Sequence, residues 1–337
     1  MSEDKHDALW NPREAQADEE LRRLQTQLAP FGLRARGRGE WTPRAIAREQ
    51  RRRWPRFVAA ALAASLLLVA LNSYRLAWQD GAAWRVHGDA GASGVAQLRS
   101  GDWLQTGADQ SFDIDVARIG RVTLSPGSRL QLVETRRAHH RVRLDSGHMR
   151  ARIWAPPGYF GVDSDSAEVV DLGCDFDIWK AGDGSGRVYV RSGWIEYRVA
   201  RRDVLLPAGY ELRFDDSHPA APLRPDASPE FAAAVLSLQQ QLDERHERAA
   251  LSANAERIAN LARQVDVYTL LYLLSQRPAL ADSALYPRLA QALGVRADDA
   301  AHRAAWAQGD IAAINRWWDA YPSQPKRWWS NWPDILR

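Results

Sequence analysis

SFDIDVARIGRVTLSPGSRLQLV, residues 111–133, alternates apolar and polar positions: Phe112, Ile114 and Val116, then Val122 and Leu124, then Leu130 and Leu132. A period of two sends successive side chains to opposite faces of a strand, so one face buries while the other meets water. PGS (126–128) breaks the run with turn chemistry. Outward from this stretch the pattern repeats in RVRL (141–144), HMRARIW (148–154), YFGV (159–162), DFDIW (175–179), RVYV (187–190) and WIEYRV (194–199). Between the runs lie SGD (100–102), DSG (145–147), APPG (155–158), AGDGSG (181–186), RSG (191–193) and PAG (207–209). Short strands at spacings of about 8–12 residues predict an all-β roll, barrel or sandwich over residues 84–215.

Upstream, FVAAALAASLLLVALNSY (57–74) carries no charge and is bounded by Arg56 and Arg75. At about 1.5 Å per residue such a run crosses a hydrocarbon core of about 30 Å with help from its flanks. Trp54 and Tyr74 are suited to the two interfaces, with Trp78 following. More than fifty residues precede the run, and Leu71-Asn72-Ser73-Tyr74 lacks a small-residue cleavage pattern, so a cleaved signal is not expected. Arg44, Arg48, Arg51, Arg52, Arg53 and Arg56 lie upstream, against Arg75 and Arg85 downstream. The positive-inside rule therefore predicts a cytoplasmic N-terminus, with residues 54–78 forming the span and its flanks. Overall, 45 Lys+Arg against 42 Asp+Glu leave a net charge of +3, and the basic excess is confined to the arginines before the span. That distribution suits anionic headgroups, and no direct nucleic-acid binding is expected.

The β region resembles the FecR domain of the ferric-citrate-type transmembrane sigma-factor regulators. The matching pieces are LRSGDWLQTGADQSFDIDV (98–116), GRVTLSPGSRLQL (120–132), VRLDSGHMRARI (142–153), FGVDSDSAEVVDLGCDFDI (160–178), VYVRSGWIEY (188–197) and VLLPAGYEL (204–212). Where the family usually carries Leu-Gly-Thr, Cys174 replaces the threonine. The resemblance implies a bacterial inner-membrane protein with its bulk in the periplasm. It also implies a signal relayed to a cytoplasmic partner such as a sigma factor. The segment 1–53 lacks a full-length anti-sigma domain. It holds one amphipathic stripe, Leu21, Leu24 and Leu28, with Trp10 as a second apolar anchor. These four are the candidate partner-binding residues; a tail resting on the membrane is the alternative. An envelope scaffold without a transcriptional role is the alternative for the whole chain.

After HPAAPLRP (218–225), read as a linker, helical spacing takes over from Ser228-Pro229-Glu230, an N-cap followed by proline at the first position. Phe231, Val235, Leu238 and Leu242 form one stripe, and Ile258, Leu261, Val265, Leu270 and Leu273 a second. Shorter helices are predicted near 286–293, 297–306 and 311–318. Residues 226–337 thus read as a small helical bundle, giving α and β in separate domains. Its tail is rich in tryptophan. The rings either pack on the bundle and the β-domain, form a stacking platform for a glycan or peptide, or touch the membrane interface. Trp317, Trp318, Trp328 and Trp329 are the candidates.

No GxSxG, HExxH, Walker A or dinucleotide fingerprint occurs, so no enzymatic activity and no cofactor are expected. His139, His140 and His148 flank the predicted DSG turn and read as exposed hairpin histidines rather than metal ligands. Asp163, Asp165 and Glu168 lack the spacing of a calcium loop. Cys174 is the only cysteine, which excludes an internal disulfide; flanked by apolar residues, it reads as a buried thiol.

Overall fold

The computed structural model describes residues 46–88, 97–164, 167–199, 202–215, 219–243 and 248–323, together with the single positions 23 and 26. Two compact units divide the chain, residues 1–68 and 69–337. Helix α1 (Ile46–Leu76) runs through the division. Within it Phe57–Leu76 is long and apolar enough to cross a membrane, and none of it is buried. Every side chain from Phe57 to Arg75 is exposed, all round the helix. A core helix of a soluble protein would cover one face at least. Ser65, one of its few polar groups, donates its hydroxyl to the Ala61 carbonyl one turn back at 2.8 Å, so nothing polar is left open there.

The second unit opens with fourteen paired strands. In chain order they are β1 (Trp84–Gly88), β2 (Gln97–Leu98), β3 (Trp103–Gln105), β4 (Phe112–Val116), β5 (Gly120–Leu124), β6 (Arg129–Arg136), β7 (His139–Ile153), β8 (Phe160–Ser164), β9 (Ala167–Asp171), β10 (Asp175–Lys180), β11 (Gly186–Ser192), β12 (Trp194–Val199), β13 (Arg202–Pro207) and β14 (Glu211–Phe214). The fifteen-residue β7 organises them. Its first half pairs with β6 and, in parallel, with β8. Its second half pairs with β5 and β10. One strand thus belongs to two half-sheets whose inward faces share a core, a mostly-β domain where the alternation predicted an all-β roll, barrel or sandwich. Leu130, Leu132, Val142, Leu144 and Val162 come from one half, and Ile114, Val122, Met149, Phe176 and Val190 from the other, all buried.

DSG (145–147) is not a turn. The strand continues through it, bending at Gly147, whose φ is +98°. A Cβ there would lie 2.2 Å from Ser128 Oγ and 2.5 Å from Ser128 Cα. Glycine is present because β7 packs directly on Ser128, the residue before β6, not because the chain reverses. The reversal lies at Arg137-Ala138, between β6 and β7, where Ala138 takes φ +61°.

Eight helical segments follow among the described residues. Helices α2 (Pro229–Asp243) and α3 (Arg248–Leu261) are succeeded by a 3₁₀ turn (Gln264–Asp266) and α4 (Val267–Gln276). A second 3₁₀ turn (Pro278–Asp282) leads to α5 (Leu285–Leu293), α6 (Ala300–Ala307) and α7 (Ile311–Ala320). The predicted second stripe is therefore cut in two after Leu261, where Arg263 folds onto Asp266 through backbone and guanidinium donors at 2.8–3.0 Å.

The helices are not a separate body. Phe231, Val235, Leu238, Tyr268 and Leu271 join the same buried cluster as the strands. Tyr210, following β13, donates its hydroxyl to the Val265 carbonyl at 2.6 Å and accepts the Tyr268 amide at 3.2 Å. The Tyr268 hydroxyl donates to the Leu205 carbonyl on β13. The expected linker is sewn in as well: Leu223 bridges Glu211 and Pro219 bridges Phe214 along the free edge of β14. Ala221 is buried, and the Pro222 carbonyl accepts from Thr269 Oγ1 at 2.7 Å. Proline suits this edge because an outer strand has spare N–H positions facing away from the ladder.

Candidate functional site

A helix leaves its last four carbonyls without intrahelical donors, and its C-terminus carries partial negative charge. At the end of α1 both are answered from the β-domain. Arg118 Nη1 donates to the carbonyls of Tyr74 and Ala77, 3.1 Å each. Its guanidinium lies 4.0 Å from the centre of the Tyr74 ring and 5.7 Å from that of Trp78. Arg75 Nη2 donates to the Trp154 carbonyl at 3.2 Å. Arg118 sits in the tight turn between β4 and β5, beside Ala117 at φ +48°, and the Ile119 carbonyl there accepts the Trp154 amide at 2.7 Å. One corner of the sheet therefore holds both arginine contacts.

The chain from 77 to 84 is then stitched down step by step. Gly81 donates its amide to the Thr135 carbonyl at 2.8 Å, and Asp80 accepts the Arg137 amide at 3.2 Å. Trp78 packs half-buried against the domain, edge-on to His140 at 6.4 Å. Trp84 Nε1 donates to Thr135 Oγ1 at 2.9 Å, and that hydroxyl meets His140 Nδ1 at 2.8 Å. His140 is 2% exposed, so it is no surface hairpin histidine. Burial, with help from His139 and Arg141, pulls its pKa down to about 4. A neutral ring accepts at Nδ1, which sets the order Trp84 N–H to Thr135 O–H to His140.

A second constellation lies at the other half of β7. His148 stacks on Trp179 with ring centres 4.5 Å apart. Its Nδ1 meets Ser125 Oγ at 2.7 Å, and its Nε2 meets Asp177 Oδ1 at 2.9 Å. Asp177 is fully buried, and its other oxygen accepts from Arg191 Nε at 2.5 Å. Burial opposes its charge, yet His148 and Arg191 together hold the carboxyl below its usual range. Serine, histidine and aspartate in a chain suggest a nucleophile and its base. The surroundings do not complete such a site. The amides of Ser125, Gly127 and Ser128 are already committed to the His148 carbonyl, the Gly107 carbonyl and Thr106 Oγ1, and Pro126 has none. No backbone donor in this turn is left to meet an oxyanion. The chain of contacts instead fixes one wall of an open cleft of about 660 Å³, lined by His148, Trp179, Arg187, Arg213 and Phe214. Arg187 covers the Trp179 ring at 4.0 Å and pairs with Glu211, as Arg213 does.

A third feature is the turn after β9. Asp171, with no exposed surface, accepts from the Gly173 amide at 3.0 Å, the Cys174 amide at 2.9 Å and Cys174 Sγ at 2.6 Å. Burial pushes the Asp171 carboxyl up to about 7 despite these donors. Burial, and then Asp171 itself, pushes the Cys174 thiol up, so it is a protonated structural donor rather than a nucleophile.

Of the residues singled out in the sequence, Trp10, Leu21, Leu24, Leu28, Trp328 and Trp329 lie outside the described residues. Trp317 is buried, with Tyr286 stacked at 4.3 Å and His302 at 5.3 Å. Trp318 is half-buried, donates to Ser275 Oγ at 2.9 Å and stands edge-on to Tyr268. Among the described residues no group of three or more His, Cys, Asp or Glu is placed to hold a metal. Nothing in the sequence marked Arg118 and Trp154: one is a single arginine in a turn, the other a single tryptophan just after β7. Only the adjacency of a turn to an apolar helix end, a three-dimensional fact, singles them out.

No protein-family model matches the chain, and no curated protein matches it. Two crystal structures from Parabacteroides distasonis, each described as a "putative anti-sigma factor" and determined at 2.50 and 1.65 Å, align with it. The TM-score is 0.33 for both, with 16% and 17% sequence identity. The alignments cover 47% of this chain and 74% and 75% of those chains.

Proposed function

We propose that this protein is a single-pass, non-enzymatic membrane regulator. Its β-domain and docked helices lie in the periplasm, and residues 1–53 engage a cytoplasmic partner, a sigma factor. The observation that carries this reading is the fastening of residues 74–84. A relay needs the outer domain to move the end of the span rather than swing freely on it. A flexible tether of seven or eight residues would dissipate any rearrangement. Here the helix end, Trp78, Asp80, Gly81 and Trp84 are each tied to β-domain groups. A ligand-induced shift at that corner is passed to α1, to the extent that the ligand distinguishes the two arrangements. The FecR-like succession of pieces supports the regulatory role, and the arginines before the span support a cytoplasmic N-terminus.

The test is a pull-down from native-cell lysate with residues 1–53 as bait, beside a Leu21/Leu24/Leu28→Ala triple variant. Recovery of a sigma factor with the wild-type bait alone supports the regulator. Recovery of nothing specific by either bait removes the cytoplasmic output. A membrane-tethered envelope scaffold is the second reading. It is favoured by an apolar cleft of about 570 Å³ lined by Leu242, Leu251, Pro278, Ala279 and Leu280, which a relay into α1 does not require.

A further inference from the structure

The corner that fastens α1 has a second property: its cations are unspent. Across most of the β-domain each arginine faces a carboxylate. Arg121 is set against Asp113 and Asp115, Arg150 and Arg152 against Asp175, Arg191 against Asp177, and Arg129 against Asp145. Arg75 and Arg118 differ. Among the described residues neither has an ion pair, and both donate to backbone carbonyls only. Both side chains are exposed. Two large aromatic residues are exposed beside them: Tyr74, under the Arg118 guanidinium, and Trp154, whose carbonyl receives Arg75 and whose side chain is 59% exposed.

Position gives this cluster its meaning. Tyr74 and Arg75 belong to the last turn of Phe57–Leu76, so whatever touches them stands where the hydrocarbon gives way to headgroups. That zone favours amphipathic rings, and guanidinium matches a phosphate oxygen pair with two parallel N–H donors. On a solvated surface that tryptophan meets only water and the two guanidiniums only water and diffuse salt, with neither a fixed partner for the ring nor a fixed counter-ion. A headgroup layer supplies both.

We propose that Arg75, Arg118, Tyr74 and Trp154 form a collar that binds the phosphates of anionic phospholipid in the membrane crossed by α1. The inference rests on the reading of Phe57–Leu76 as a span. Lipid at the collar grips the same turn that carries the helix-end contacts. Headgroup charge therefore reinforces the fastening between domain and helix, and membrane composition becomes an input to the relay.

The experiment is arginine footprinting of the full chain in lipid nanodiscs with phenylglyoxal, read by peptide mass spectrometry. Discs contain phosphatidylcholine alone, phosphatidylcholine with phosphatidylglycerol, or phosphatidylcholine with inorganic phosphate in the buffer. Arg129, exposed and paired with Asp145, is the internal reference. The expected result is labelling of Arg75 and Arg118 reduced about fivefold by phosphatidylglycerol, with Arg129 unchanged and free phosphate without effect. Trp154→Ala and Arg118→Gln should each weaken the protection of Arg75. Equal labelling in the two lipid compositions overturns the collar, as does equal protection by free phosphate. Alkaline extraction of vesicles carrying the same protein reads the span separately. A chain that resists extraction but shows no lipid dependence sinks the collar alone. A chain that washes off sinks both.

Discussion

Asp171 and His140 should give the folded protein two opposed responses to pH that nearly conceal each other. His140 is pulled to about 4 in the fold, against about 6.5 in an unfolded chain. Between those values the unfolded chain holds a proton that the folded one lacks, so stability falls as acid is added. At about 1.4 kcal/mol per pH unit, that window is worth about 3 kcal/mol. Asp171 is pushed to about 7, against about 3.9 unfolded. Between those values the folded chain holds the extra proton, so stability rises as the pH falls, by about 4 kcal/mol in all. The perturbation that separates the two is Asp171→Asn. It removes one titration and carries a pH-independent penalty of about 1–2 kcal/mol, because an amide cannot accept all three donors. Urea unfolding of the full chain in nanodiscs, followed by circular dichroism at steps from pH 4 to pH 8, gives both profiles. The variant's stability relative to wild type should drop by about 4 kcal/mol on going from pH 7 to pH 4, exposing the acid sensitivity of His140. Groups common to both proteins cancel in that difference. His140→Phe should show the reverse trend, gaining about 3 kcal/mol relative to wild type from pH 6.5 to pH 4. Parallel profiles for wild type and Asp171→Asn would refute the assignment of a raised carboxyl to Asp171.

Three further outcomes are expected. Gly147→Ala forces a Cβ into Ser128 at a positive φ and should destabilise by roughly 2–4 kcal/mol. Ser128→Gly should not rescue it, because the Ser128 backbone is itself in the way, and a denaturant titration of the single and double variants reads this. Phe231→Ala removes a helix side chain from the shared core and should cost about 3–5 kcal/mol. It should shift one cooperative transition in calorimetry; a separate melting of the helices would contradict the common core. Arg118→Ala deletes two charge-assisted contacts and a ring contact on an exposed site, worth about 1–2 kcal/mol locally. It should speed proteolytic cleavage between residues 77 and 83 without moving the midpoint of global unfolding.

Much of the architecture follows from local signals. Period-two alternation located the strands, because a half-buried sheet separates apolar from polar at every second residue. The helical stripe from Phe231 to Leu238 was legible for the same reason at period 3.6. What escaped was set by partners distant in sequence. DSG at 145–147 carries turn chemistry, but its glycine answers to Ser128, the residue just before the neighbouring strand β6. Prolines at 219 and 222 mark a linker by composition, yet the free edge of β14 makes that segment part of the sheet. His140 looked exposed beside charged neighbours, although its register on β7 aims it at Thr135 and Trp84. The helices were read as independent because nothing in their periodicity shows which surface their apolar face meets; Tyr210 and Tyr268 settle that through backbone carbonyls far along the chain.

Strand β7 also imposes an order of events on synthesis. Its second half has no complete sheet until residues 175–180 arrive to pair with Gly147–Arg152. The apolar run of α1 ends at Leu76 and is free to enter a membrane well before that. On the proposed reading of α1 as a span, the anchored but unfinished chain waits with Met149, Ala151 and Ile153 uncovered, the kind of strand on which aggregation begins. Arg150 and Arg152 alternate with those residues and so occupy the opposite face of the same half-strand, and charge beside an unavoidable apolar run acts as a gatekeeper. On that same reading Arg150 and Arg152 keep the open strand soluble during the interval before its core closes.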